Sequence, residues 1–178
     1  NLTNFNISHD EEHIIPFIQR AIKAANVSIK FVASPWSAPA WMKKNNHMNC
    51  DLGPWTCVLK DDATIQQAWA QYFSKYIDSY KKNNINIWGI TIQNEPEAKQ
   101  TWDSCLFTAE EERDFIKNHL APSLKKHDLL DRKVIIWDHN RDVMVERARV
   151  VLSDPDAAKF VWGTGFHWYC GDHFDNVQ

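Results

Sequence analysis

The chain has 178 residues, 44% of them hydrophobic, and a formal net charge of −3 at pH 7. It can bury one core of ordinary size, and it carries no basic stripe of the kind a nucleic-acid partner requires, so no nucleic acid is expected. No apolar run approaches the roughly 20 residues that span a bilayer, and the polar opening at Asn1-Leu2-Thr3 does not read as a signal peptide.

In chain order, Ser8-His-Asp-Glu11 reads as a capping box that opens a helix with Ile14, Ile18, Ala21, Ile22 and Ala25 on one face and a stop at Asn26. The apolar run Ile29–Ala33 predicts a buried strand. It ends in Ser34-Pro-Trp-Ser-Ala-Pro-Ala-Trp41, whose two prolines cannot continue a strand. A second capping box, Thr64-Ile-Gln-Gln67, precedes a helix with Ile65, Trp69, Tyr72, Phe73, Tyr76, Ile77 and Tyr80 on one broad apolar face. That stripe is read as core. The β-branched run Ile85–Ile92 predicts a strand ending in Gln93-Asn94-Glu95-Pro96. Thr108-Ala-Glu-Glu111 caps a third helix with Phe115, Ile116 and Leu120 inward, and Val134–Trp137 is a third strand closing on Asp138-His-Asn-Arg141. Met144, Ala148, Val151 and Leu152 mark another helix, Asp154-Pro155 starts a short one, and a last strand runs from Phe160 towards His167-Trp168-Tyr169.

Strands near 29–33, 86–93, 134–138 and 161–167 are therefore expected, parallel and adjacent in that order. Each ends in a polar or aromatic cluster, which is where a (β/α) barrel gathers its chemistry. A doubly wound nucleotide fold would need a Gly-rich first turn, and the chain has five Gly and no G-x-G-x-x-G. The expected class is α/β, a partial (β/α)8 TIM barrel of about four βα units. A closed barrel takes about 250 residues, so residues 1–178 read as part of a longer protein's single barrel domain.

Glu95 is the central residue. Pro96 cannot donate to a ladder, so the strand stops there and turns its end outward with a part-desolvated carboxyl, as a proton donor needs. Asn94 offers a donor and an acceptor to a sugar hydroxyl. Nine Trp supply flat apolar faces suited to sugar rings, although core filling accounts for most of them.

Asn94-Glu95-Pro96, behind Ile87-Trp-Gly-Ile-Thr-Ile92-Gln93, resembles the acid/base strand of the large glycosidase clan with (β/α)8 barrels. Within that clan, Ala33-Ser-Pro-Trp-Ser-Ala-Pro-Ala-Trp-Met-Lys43, Phe107–Phe115, Leu152–Lys159 and Phe166-His-Trp-Tyr169 resemble one family, the glucosylceramidases (acid β-glucosidases) of glycoside hydrolase family 30. The resemblance implies a retaining β-glycosidase that hydrolyses glucosylceramide to glucose and ceramide. Glu95 would be proton donor and later base, Asn94 would bond the sugar 2-hydroxyl, Trp36 would line the glucose pocket and Tyr169 would neighbour the carboxylates. Asp138, Arg141 and His167 would form a supporting polar network, and the order of Asp138 and Arg141 suggests an ion pair between them. For His167 a purely structural role stays open. The strands here correspond to three to six of the barrel. The family's nucleophile, a Glu on a later strand, and its accessory β domain lie outside this chain, so the chain alone should not turn over substrate.

Two loops, Asn45–Cys57 and Glu97–Ser104, depart from the family pattern and would shape the pocket rim, where Trp102 stands as a substitute aromatic. Alternatives within the family are a β-1,6-glucanase or xylanase type; beyond it stand a non-catalytic sugar-binding relative and a metal-dependent hydrolase using Glu95, Asp138, His139 and His167. The strand ends show no H-x-H pair, no Cys pair has C-x-x-C spacing, and no metal or cofactor is expected. Asn1, Asn6 and Asn26 each open an N-glycosylation triplet, and Cys50 and Cys57 bracket a loop that a disulfide could close. Cys105 and Cys170 are isolated, and either a buried thiol or a bridge is open for them. These features lean towards a lysosomal lumen or secretion, with a glycosphingolipid or other β-glycoside as substrate. A membrane surface and a lipid-presenting activator protein are the expected partners.

Overall fold

All four apolar runs become strands in the computed structural model, which describes residues 2–50 and 56–178. The helices among these residues are α1 (Ser8–Ala25), α2 (Ala63–Lys82), α3 (Ala109–Phe115), α4 (Ala121–Lys126), α5 (Met144–Leu152) and α6 (Pro155–Ala158). The strands are β1 (Phe31–Ala33), β2 (Ile87–Thr91), β3 (Lys133–Asn140) and β4 (Val161–His167). They form one sheet in the order β1-β2-β3-β4, every neighbouring pair parallel, with a helix in each crossover. This is the alternation expected of consecutive βα units of a barrel. Val32, Trp162 and Phe166, on the two outer strands, stay 48%, 57% and 49% exposed.

The aromatic stripe of α2 is core. Trp69, Phe73, Ile77 and Tyr80 are buried against Ile87 and Ile90 of β2 and against Phe115, Ile116, Leu120 and Leu124. Each such side chain removed from water contributes roughly 1.5–3 kcal/mol. Tyr80 also reaches α1, donating from its hydroxyl to Asp10 Oδ2 at 2.8 Å. Between α3 and α4 the helix widens to a π turn over Ile116–Leu120, which ends two residues before Pro122. Pro122 cannot donate to a preceding turn and its ring would crowd a regular α-helical carbonyl, so the wider turn accommodates it.

Three bulges interrupt the sheet. Pairing steps from Phe31↔Ile87 to Val32↔Gly89, leaving Trp88 as the extra residue, and from Val134↔Val161 to Ile135↔Gly163, leaving Trp162. These two bulged indoles meet edge to face at 4.8 Å, with the Lys30 ammonium 5.0 Å from the Trp88 ring. The third bulge, between Trp137↔Gly165 and His139↔Phe166, sets Asp138 apart near the C-terminal end of β3.

Two of the three expected capping boxes are different. At α1 the helix starts at Ser8 itself, and Asn6 Oδ1 accepts from the Ser8 N–H and hydroxyl. At α2 the cap is Asp62, whose carboxylate accepts from the Thr64 and Ile65 N–H groups. Thr108 and Glu111 do form a reciprocal box. The Thr64 N–H and then the Ile65 N–H hold the Asp62 carboxyl below its ordinary range. A depressed folded-state pKa gives stability that is present above the unfolded carboxylate range and lost as pH falls through the folded value. Asp62→Ala should therefore lower the thermal midpoint of the full-length protein near neutral pH and shrink its loss on acidification, with Thr64→Ala costing less. A larger loss in Thr64→Ala would return the cap to the threonine.

Candidate active site

Because the strands are parallel, their C-terminal ends share one side of the sheet. Trp36 follows β1, Asn94 and Glu95 follow β2, Asp138 lies at the end of β3, and His167 and Tyr169 end or follow β4. The tips are tied together by backbone bonds: the Asn94 N–H donates to Pro35 O at 2.9 Å and the Glu95 N–H to Asp138 O at 3.0 Å. Gln93, fully buried, donates from Nε2 to Trp36 O at 2.7 Å and locks the β1 loop onto β2.

The core of the site is an imidazole between two carboxylates. His167 Nδ1 lies 3.0 Å from Glu95 Oε1, and Nε2 lies 3.0 Å from Asp138 Oδ1. All three side chains are mostly buried, at 18% exposure for Glu95, 15% for Asp138 and 22% for His167. With Asp138 ionised, two proton placements satisfy both contacts. A doubly protonated ring donates to each carboxylate. A neutral ring donates from Nε2 to Asp138 and accepts at Nδ1 from a protonated Glu95. The second placement stores on Glu95 the proton that an acid catalyst must deliver.

This geometry needs unusual backbone. Glu95, Trp137 and Asp138 have φ of 48°, 73° and 51°. Non-glycine residues in that region cost about 1–3 kcal/mol each and persist only where the surroundings hold them. The holding groups are visible. The Trp137 N–H, turned away from the ladder, donates to Glu112 Oε1 at 3.0 Å, and the Trp137 indole donates to Asn140 O at 2.7 Å. Glu112 is itself paired to Arg147 Nη2 at 3.1 Å, and the guanidinium lies 5.0 Å from the Trp137 ring. Burial pushes the Glu112 carboxyl up, and the Arg147 charge and the Trp137 N–H offset part of that rise. Gly165 lets β4 pass under the bulge: a Cβ there would stand 3.1 Å from Ile135 Cγ2 and 3.5 Å from Asp138 Cα.

His139, next to the bulge, is packed 5.0 Å from the Trp137 ring and 6.2 Å from the His167 ring. Burial lowers its pKa, the Glu95 charge opposing, and its Nδ1 is buried without a hydrogen-bond partner.

Tyr169 is half exposed, its ring 6.4 Å from His167 and 4.6 Å from the exposed Trp168. Asn94 is nearly buried, and Trp36 is half exposed. Arg141 does not pair with Asp138. Its Nη2 donates to Gly171 O at 3.1 Å and its guanidinium lies 4.6 Å from the Phe174 ring, because Asp138 is turned by the bulge towards His167. Trp102 is exposed on the loop preceding α3, and its carbonyl accepts from Ser104 Oγ at 3.1 Å.

The segment between β1 and α2 is tied by a disulfide between Cys50 and Cys57 and by Lys43. The buried Lys43 ammonium donates to Ser104 O at 2.6 Å, Met48 O at 2.8 Å, Ser37 Oγ at 3.2 Å and Asn49 O at 3.3 Å. Burial pushes the Cys105 thiol up to about 12, so it stays protonated, while Cys170 is exposed and its Sγ accepts from Asn140 Nδ2 at 3.2 Å. Asn26 is exposed at the C-cap of α1 and Asn6 lies two residues before its start; Asn1 lies outside the described residues. No helix among the described residues is long and apolar enough to cross a membrane.

Sequence reasoning overlooked Glu112, Arg147 and Lys43. For the first two a signal existed. Glu112 lies on the inward stripe with Ala109 and Phe115, and Arg147 on the stripe with Met144 and Val151, so two opposite charges sit where apolar residues belong. Lys43 gave no such sign.

The profile of the glycosyl hydrolase family 30 TIM-barrel domain matches residues 1–177. The chain belongs to that family. Mouse lysosomal acid glucosylceramidase is 38% identical over 175 residues, covering 94% of this chain and 33% of the mouse protein. The endo-1,6-β-D-glucanase BGN16.3 of Trichoderma harzianum is 31% identical, covering 98% of this chain and 37% of its own. Among solved structures, SrfJ from Salmonella typhimurium superposes with a TM-score of 0.87 at 38% identity, over 97% of this chain and 37% of that one. The chain spans about a third of the length of the glucosylceramidase-named relatives it matches, with shares of 30%, 33% and 34%. It is a family 30 partial barrel.

Proposed function

We propose that the full-length protein is a retaining β-glycosidase in which Glu95 protonates the leaving oxygen and then, as a base, activates the water that releases the sugar. The observation that carries this is the Glu95 carboxyl held at the tip of β2, 3.0 Å from His167 Nδ1, in an arrangement that can keep a proton ready. His167 and Asp138 position that carboxyl, Asn94 bonds the sugar 2-hydroxyl, and Trp36 and Tyr169 wall the pocket with Trp102 at its rim. A retaining mechanism needs a second carboxylate roughly 5–5.5 Å away as nucleophile. Asp138 does not serve: one oxygen is bonded by His167 and the other is buried. The nucleophile therefore belongs to a part of the barrel outside this chain, and residues 1–178 are one portion of a single catalytic domain. The chemistry calls for no cofactor.

The substrate we infer is the β-glucosidic bond of glucosylceramide, at the membrane surface of a lysosomal or extracellular lumen, with a lipid-presenting activator as partner. It is supported by the likeness to the mouse lysosomal enzyme and by the disulfide between Cys50 and Cys57, which suits an oxidising compartment. Glycans at Asn1, Asn6 and Asn26 belong to the same reading. The second reading is a β-1,6-glucanase, favoured by the 31% identity to the fungal enzyme. Full-length protein offered glucosylceramide in anionic vesicles should release glucose whose first-formed anomer, read by proton NMR, is β. Release from β-1,6-glucan or xylan with none from the lipid would overturn the sphingolipid assignment.

A further inference from the structure

We propose that Glu95, His139 and His167 form a binding site for a borderline transition-metal cation of the zinc or copper class, and that its occupation arrests the glycosidase. One ligand atom from each residue lies within 4.8 Å of those of the other two. Two imidazoles and a carboxylate are the donor set that suits zinc and copper, whereas magnesium and calcium take mainly oxygen. Donors of a tetrahedral zinc site, each about 2.0–2.1 Å from the metal, stand roughly 3.3 Å apart. The Glu95 and His167 atoms are already 3.0 Å apart, and the His139 ligand atom lies within 4.8 Å of its neighbours in the cluster.

Two further features are those of a built ligand shell. His167 Nε2 is bonded to the Asp138 carboxylate, the outer-shell contact that fixes a metal-bound histidine's tautomer and turns its other nitrogen to the metal. His139 Nδ1 is buried without a partner, so nothing competes for that side of the ring, and the Trp137 ring packs against it. The cluster stands at the sheet's C-terminal end. The inhibitory consequence rests on Glu95 being the acid/base, because a carboxylate bound to the cation cannot deliver a proton. Binding itself does not rest on that reading.

The test is calorimetric titration of full-length protein with zinc, paired with hydrolysis of an aryl β-glucoside. One equivalent should bind, and Glu95→Gln and His139→Asn should each weaken it at least tenfold. Zinc should abolish hydrolysis at the concentrations that saturate the site, EDTA should restore it, and magnesium should do neither. His139→Asn should shift the inhibitory zinc concentration upward at least tenfold relative to its own uninhibited rate. Zinc binding that survives both substitutions, or that is lost instead with the exposed pair His9→Asn and His13→Asn, overturns the site. Should Glu95→Gln keep full activity, the acid/base reading fails by itself, and calorimetry on His139→Asn still decides the metal site.

Discussion

Glu95→Gln in the full-length protein should abolish hydrolysis of β-glucosides with poor leaving groups while sparing the first step on aryl glucosides with acidic ones. Gln matches Glu in size and still reaches His167, so the site stays assembled and only the proton is lost. General acid–base catalysis contributes roughly 10²–10⁴-fold, and kcat for an alkyl or lipid glucoside should fall by at least that factor. A leaving group such as a nitrophenolate needs little protonation, so glycosylation of the enzyme proceeds. With no base to activate water, the glycosyl-enzyme then accumulates.

Azide separates this reading from its rivals. A small anion attacks the anomeric carbon from the face the aglycone has vacated and needs no general base, so it should restore turnover of the aryl glucoside in Glu95→Gln. Two inversions give net retention, and the product should be the β-glucosyl azide. The anomeric coupling constant in a proton spectrum reads the outcome directly. An α-azide would place the mechanism among inverting enzymes, and undiminished hydrolysis of poor substrates would assign the acid to another residue.

The strands and their order were legible because an apolar β-branched run ended by Pro, or by a polar cluster, is a signal local to the chain. Asn94-Glu95-Pro96 announced the tip of β2 in the same way. The register was not. The bulges at Trp88, Trp162 and Asp138 are one-residue slips decided by what the neighbouring strand offers, and β-propensity is silent on them. That is why Arg141 looked like the partner of Asp138: three residues apart in sequence, they are turned to different neighbours, His167 and Gly171, by the bulge at Asp138. The caps of α1 and α2 misled for a related reason. Asn6 and Asp62, each two residues before a hydroxyl residue, reached the free N–H groups first, and Asx side chains compete well with Ser and Thr there. The His167 bridge needed three strand ends at once, which no window of sequence contains.

Glu112→Ala should be among the most damaging substitutions outside the catalytic carboxyl, because one side chain supports both the stability of the fold and the shape of the site. Glu112 is 2% exposed, bonds the Trp137 N–H at 3.0 Å and pairs with Arg147 at 3.1 Å. Removing it leaves the buried Arg147 guanidinium with only Phe107 O at 3.0 Å and the half-exposed Glu97 carboxylate at 3.4 Å, so the cost should lie below the about 3–5 kcal/mol of a buried charge left with no partner. It also leaves the Trp137 N–H without an acceptor, at a further cost of roughly 1–3 kcal/mol that is not fully additive. Trp137 and Asp138 hold left-handed backbone only while such groups over-determine them, so the bulge should relax towards regular strand and carry Asp138 away from His167. The urea-unfolding midpoint of the full-length protein and kcat should therefore fall together. Glu112→Gln keeps an acceptor for Trp137 and should lose less of both. Adding Arg147→Met to Glu112→Ala removes the under-paired charge and should recover part of the stability without recovering kcat, because the Trp137 N–H still lacks its acceptor. A midpoint for Glu112→Ala within about 0.5 kcal/mol of wild type, the size of an ordinary surface substitution, would show that the pair does not support the site.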